Sequence, residues 1–304
     1  MIISSDDRPI EKNLLTALYP SLSAVVQYLY AARHNYMYLY YRFPVCWHSR
    51  KGYLSPTWCK VLAVYHAMLT LPENSMVVYI DSDAIIQLHS MPFDIFLENA
   101  TSLASPHLGP LNTASIIFSD NWPFDDVDEV CPGFFIVVNN VLSRHILQRW
   151  WNFNEQPTWN SRRPHEMGAA NVGILRWDFG IYRPYIAAFR THMFRDLGAN
   201  QFIRHVGTAE NARYKVKNKV YKRQVGFLNF LTNLSITPEL FRQKVNLIRR
   251  SFYRNIKLPA LRNLTLALEY ANYVNPLPIS ANELNRTLTL SDILQLKREK
   301  RIRP

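Results

Sequence analysis

Two aspartates one residue apart interrupt the most apolar stretch of the chain, Val77 to Ile86, which reads VVYIDSDAII. Burying a carboxylate among such residues is costly unless a charge faces it. Asp81 and Asp83 stand at i and i+2, so the pattern predicts that both point to one side of a strand end and into a common crevice. Hard oxygen donors in that arrangement suit Mn²⁺ or Mg²⁺, ions that keep positions open for substrate phosphates. A turn-capping Asp beside an exposed one is the plainer reading of the same triplet.

Alternating elements must position the pair. MIIS at the start reads as a strand, residues 21–34 as a helix, and YMYLYYRF (36–43) as a strand. SPTWCKVLAVYHAML then opens with Ser55 as N-cap and Pro56 in the first turn. Its predicted face is Trp58, Leu62, Tyr65 and Leu69, and Pro72 closes it. SMVVYI follows as a fully buried strand delivering Asp81. Further on, SIIFSD, GFFIVV and QFIRHV are predicted strands, and NVLSRHILQRWW and EMGAANVGILRW predicted helices. The alternation predicts an α/β domain with a mostly parallel sheet and helices on both faces. Beyond Arg213 the segments become basic and amphipathic, as in ELFRQKVNLIRRSFYRNI, with no further strand expected. The predicted division is a domain over 1–215 and a basic, mainly helical extension over 216–304.

The 304 residues are 48% hydrophobic and 19% charged, enough for a sizeable core. The net charge of +12 is uneven: 15 basic against 17 acidic residues up to Ile203, then 20 against 6 from Arg204 onward. Nucleic acid, an anionic membrane surface or an acidic partner could each account for such a tail, and a solvated helical face is the plainer reading. Nine glycines and no G-x-G-x-x-G or P-loop pattern exclude a glycine-rich phosphate cradle. Cys46, Cys59 and Cys131 form no C-x-x-C pair, which disfavours a zinc cluster and leaves one thiol over if two are linked. No stretch reads as a signal peptide or membrane span.

Two reaction classes use a D-x-D at a strand end. Phosphohydrolases of the haloacid dehalogenase type begin on that strand and follow the motif with Thr or Val; here Ala84 follows, and a strand–helix–strand–helix unit precedes it. The other class moves a sugar from a nucleoside diphosphate, with the ion bridging the pyrophosphate. A third, non-enzymatic reading is a basic adaptor that binds anionic partners through its C-terminal third.

YLYAARHNYMYLYY, PTWCKVLAVYHAM and VVYIDSDAII, in that order and spacing, resemble the GT-A glycosyltransferases of the galactosyl-, mannosyl- and xylosyltransferase family of fungi and plants. The residues that carry the likeness are Tyr30-Ala31, His34 to Tyr36, Trp58, Lys60, Asp81, Asp83 and Ala84. CPGFFIVVNN, HEMGAANVGI and FIRHVGTAENAR extend it to about residue 213. Cys131 stands where that family has Asn, and Met167 where it has Gln.

The resemblance implies a GT-A fold, a nucleoside-diphosphate sugar donor, Mn²⁺ (or Mg²⁺), and a glycan or glycoconjugate acceptor. Nucleic acid is not expected. It implies Asp81, Asp83 and His205 at the metal, and Lys60 and Arg213 at the diphosphate, with Asp81 also within reach of the ribose. Gly133 would let the sugar approach the backbone. Glu166 is the first choice for the acid group at the reacting carbon, with Asp120 and Asp178 as alternatives. Trp122, Trp159 and Trp177 are candidates to stack on an acceptor sugar. The family works in the Golgi behind an N-terminal anchor; without one, the cytoplasm is expected.

Overall fold

The central apolar run becomes strand β5 (Met76–Ile80), every residue of which is buried. Met76, Val78 and Ile80 pack into one layer and Val77 and Tyr79 into the other, so the strand has no polar face to show. This is seen in a computed structural model that describes residues 1–100, 108–111, 113–120, 130–153, 165–177, 182–189, 202–205 and 219–271.

Strand β5 lies in a seven-stranded sheet beside β1 (Ile2–Asp6), with β2 (Tyr38–Arg42) and the edge strand β11 (Tyr253–Asn255) beyond β1. On its other side come β8 (Val130–Val138), β7 (Ile116–Asp120) and β9 (Ile186–Phe189). Strand β8 runs against both neighbours, and the other pairings are parallel. The carboxyl ends of β1 and β5 therefore open on the same edge, where α/β sheets bind ligands.

Helices cover both faces. On one side lie α1 (Tyr19–Arg33), α3 (Phe93–Asn99), α6 (Lys219–Asn233) and α7 (Pro238–Leu247), burying Val25, Phe96, Phe227 and Phe241. On the other lie α2 (Cys59–Leu69), α4 (Val141–Asn152) and α8 (Leu258–Glu269), burying Leu62, Trp150 and Leu261. Helix α4 starts with a capping box. Asn140 Oδ1 accepts from the Ser143 N–H at 2.8 Å, and Ser143 Oγ accepts from the Asn140 N–H at 3.2 Å.

Several predicted elements take a different form. The helix expected from Ser55 opens as a 3₁₀ turn (Pro56–Trp58), and the Ser55 side chain makes no cap bond. Trp58, Leu62 and Tyr65 are buried as expected, but Leu69, the last residue of the helix, is 55% exposed. The helix expected at 166–177 is a short α5 (His165–Gly168) followed by a widened π-type turn. The segment ELFRQKVNLIRRSFYRNI breaks into α7, another widened turn (Ile248–Phe252) and β11. Strand β11 was not expected, because three residues carry no readable alternation. It is fixed by parallel pairing to β2 and by Tyr253 stacking on Tyr40 at 5.9 Å.

The boundary expected near 215 lies outside the described residues. A disulfide joins Cys46 in β3 (Cys46–His48) to Cys59 at the start of α2, and Cys131 is free. No described helix is long and apolar enough to cross a membrane.

Candidate functional site

A cleft of about 520 Å³ opens at the carboxyl ends of β1 and β5 and is lined by Asp81, Asp83, Lys60, Gly133 and Glu166 together. Strand β5 stops at Ile80 and the chain turns, with the Ala84 N–H donating to Asp81 O at 3.1 Å. Strand alternation thus ends before Asp83, and the two carboxylates do not share a strand face as predicted. The turn sends them to cations in opposite layers. Asp81 meets Lys60 Nζ, from α2, at 3.1 Å and accepts from the Tyr79 hydroxyl at 3.0 Å. Asp83 meets Arg223, from α6, at 2.6 Å. Protein cations therefore face both members of the pair.

Lys60 is only 3% exposed and contacts Asp81, Glu166 at 2.9 Å and the Pro132 carbonyl at 3.3 Å. Burial alone would lower its pKa, but the charges of Asp81 and Glu166 outweigh burial and hold it well above the ordinary range. Glu166 shows the mirror effect. Burial would raise its pKa, but Lys60 and a hydrogen bond from Thr57 bring it below the usual carboxylate value. The Trp150 indole fixes the Glu166 backbone by donating to its carbonyl at 2.8 Å. The ammonium expected to hold a diphosphate is thus clamped between two carboxylates.

A second acidic group at the end of β1 forms the adjoining wall, and the sequence reading missed it. Asp6 accepts from Arg8 Nε at 2.7 Å and Nη2 at 2.8 Å, and from the Ser82 hydroxyl at 2.6 Å. Burial opposes ionisation of Asp6, yet these bonds and the Arg8 charge bring its pKa below the ordinary value. The Arg8 and Arg223 guanidinium groups both lie over the Tyr19 ring, at 4.5 and 5.2 Å from its centroid. SSDDRP at the end of the first strand could have flagged Asp6 by the logic applied to Asp81; nothing local flags Arg223.

His205 ends β10 (Ile203–His205), which pairs antiparallel with β6 (Ala84–Ile86) and sets His205 opposite Ala84, next to Asp83 in sequence. Asp120 ends β7, at the same sheet edge as Asp81 but with β8 between. Asp178, Arg213, Trp122 and Trp159 lie outside the described residues. Among the described residues no three His, Cys, Asp or Glu side chains converge as a metal cluster. Hard oxygen donors of the kind that suit a divalent cation do line the cleft: among the described residues, five carboxylates (Asp6, Asp7, Asp81, Asp83, Glu166) and three cations (Arg8, Lys60, Arg223) form its wall.

No protein-family model matches the sequence, and no curated protein does. Among solved structures, the chain is similar to a glycosyltransferase involved in the glycosylation of the major capsid of PBCV-1. The TM-score is 0.51 at 14% identity, over 74% of this chain and 97% of that one. Two weaker likenesses carry no argument. They are to the glycosyltransferase GlyE of Streptococcus pneumoniae TIGR4 (TM-score 0.41, 11% identity, 83% of this chain and 64% of that one) and to the galactosyltransferase LgtC (0.42, 9%, 80% and 99%). The mostly parallel sheet with helices on both faces is a GT-A-like fold, shared with that structure.

Proposed function

We propose that the chain is a glycosyltransferase that moves a sugar from a nucleoside diphosphate to a glycan or glycoconjugate hydroxyl, with Mn²⁺ (or Mg²⁺) held at Asp81, Asp83 and His205. The observation that carries the reading is the cleft itself: on a GT-A-like fold, Asp81, Asp83, Lys60, Gly133 and Glu166 line one cavity, with five carboxylates among its described lining residues. Held by Asp81, Asp83 and His205, such an ion would supply Lewis-acid stabilisation of the negative charge on the departing diphosphate.

The protein's own residues would do the rest. Lys60 holds Glu166 ionised and sets its charge against Asp81, so oxygen donors line the cleft at neutral pH. Glu166, an anion on the cleft wall, would oppose the positive charge of an oxocarbenium-like state. Its contact with Lys60 makes this electrostatic part more natural than taking a proton from the acceptor, a task for which Asp120 and Asp178 are the alternatives. Gly133 leaves room for the sugar, and Arg213 is the further cation proposed at the diphosphate. The motif order supports a place near the galactosyl-, mannosyl- and xylosyltransferase family, and with it transfer of a hexose or pentose.

Calorimetry with UDP- and GDP-sugars and Mn²⁺ tests the reading. Folded protein should bind one of them in a manner that needs Mn²⁺ and Asp83. Binding neither nucleotide sugar, or binding one undiminished in Asp83→Asn, would refute it.

A further inference from the structure

Arg223 is a cleft residue that neither the motif nor the family likeness assigns. It comes from α6, whose position is fixed independently of the cleft: Phe227 and Leu231 are buried in the core, and Gln224 donates to the Ala17 carbonyl. From that fixed helix its guanidinium reaches Asp83 at 2.6 Å, donates to the Tyr19 hydroxyl at 3.2 Å and lies over the Tyr19 ring. Its Nε is buried with no hydrogen-bond partner among the described residues. The contact therefore uses only part of a five-donor group.

We propose that Arg223 is an exchangeable counter-ion for Asp83: a divalent cation displaces it, and the freed guanidinium, still anchored on Tyr19, then engages the donor's diphosphate. This rests on the metal reading of the cleft and adds a competition to it. Asp83 cannot give its charge fully to both partners, since a carboxylate coordinating a metal at about 2.1 Å has less left for a guanidinium. Metal alone must break the Asp83 contact with nothing to receive the arginine. Metal arriving with a diphosphate supplies an anion whose oxygens suit a planar fork. The exchange thus favours the metal–nucleotide pair over the free metal, and would keep the cleft from filling with a bare cation. Tyr19 makes the exchange local, because a side chain swings while α6 stays docked.

The test measures Mn²⁺ binding without any sugar transfer, by the loss of the free-ion electron paramagnetic resonance signal, for the wild type, R223Q and R223K. Both variants should bind Mn²⁺ alone more tightly, R223Q by on the order of tenfold and R223K by less. UDP at saturating Mn²⁺ should bind R223Q on the order of tenfold more weakly. R223K keeps the charge and the aliphatic stem, so it separates contact from field and carries the test if R223Q does not fold. Mn²⁺ affinity equal in all three proteins overturns the proposal, leaves Arg223 a staple between α6 and Tyr19, and leaves the metal reading standing. A gain in R223Q with R223K like the wild type also overturns it, as a field effect. Mn²⁺ binding to none of them, with or without UDP, overturns the metal reading and the exchange together.

Discussion

The cleft holds two acidic groups at the ends of neighbouring strands, and they are neutralised in opposite ways. At the end of β1, Asp6 takes its cation from two residues away; Arg8 forks onto it and Ser82 closes the remaining side, leaving the carboxylate 5% exposed. At the end of β5, Asp81 and Asp83 take theirs from α2 and α6, and remain 26% and 20% exposed. A cation that is local in sequence forms a closed contact, which shapes a wall. Cations delivered by distant helices exist only when the fold has assembled, and they leave oxygen atoms facing the cavity. The first group looks after structure, the second is poised for exchange.

The largest expected effect breaks the second group at its buried end. Lys60→Met leaves Asp81 and Glu166 facing each other without a charge between them, and should cost roughly 3–5 kcal/mol in urea unfolding. Adding Glu166→Gln should recover part of that loss. Full additivity of the two changes would instead mean that the carboxylates do not share the lysine. Next in size is Asp6→Asn, expected to cost roughly 1.5–3 kcal/mol because it weakens hydrogen bonds to a charged guanidinium in a buried setting. A change at Asp6 within experimental error would remove the contrast between the two groups.

The first half of the fold was legible in the sequence because β5 is buried on both faces and α1 and α2 carry strong apolar spacing. Asp81 and Asp83 were legible as chemistry because carboxylates in an apolar run demand an explanation. Their surroundings were another matter. Lys60 read as a helix residue near phosphates, yet its depth in the cleft wall depends on the 3₁₀ turn ahead of it and on Glu166 arriving from α5. Arg223 and β11 were invisible for a shared reason: each acts through a partner far along the chain, Asp83 in one case and β2 in the other. Local spacing reports faces and ends of elements; it does not report which helix from the far end of the chain will reach over a cleft.

Acid sharpens the comparison without a mutation. Asp6 and Glu166 both have folded pKa values below their ordinary 3.8 and 4.5, despite the burial that opposes this, because of Arg8 and Lys60 respectively. A depressed carboxylate contributes stability that is present above its unfolded value and is lost as pH falls through its folded one. Lys60 is raised above its ordinary 10.5, so its contribution is intact below that value and is lost only as pH rises through the folded one. Unfolding midpoints should therefore begin to fall below about 6.5, where the lowered pKa values of the buried His66 and His89 oppose protonation in the fold, and fall further below about 4.5, the ordinary value of Glu166. In Glu166→Gln the acid fall should be shallower, with the Asp6 part remaining. A fall of unchanged steepness would deny Glu166 its place beside Lys60.

The smallest effect on stability is expected where the effect on binding is greatest. Two neighbouring carboxylates considered alone would repel, and Asp83→Asn would then stabilise the empty protein. The Arg223 contact at 2.6 Å reverses that sign. Both partners keep about a fifth to a quarter of their side-chain surface in solvent, at 20% and 24%, so the pair behaves more like a surface bridge than a buried one. Its loss should cost no more than about 1 kcal/mol. Thermal unfolding of Asp83→Asn should accordingly lie at or slightly below that of the wild type, while Mn²⁺-dependent nucleotide binding disappears. A loss as large as that of Asp6→Asn would make Asp83 a structural acid of the β1 kind. A rise in stability would mean that Arg223 does not hold it, and the exchange between arginine and metal would have nothing to exchange.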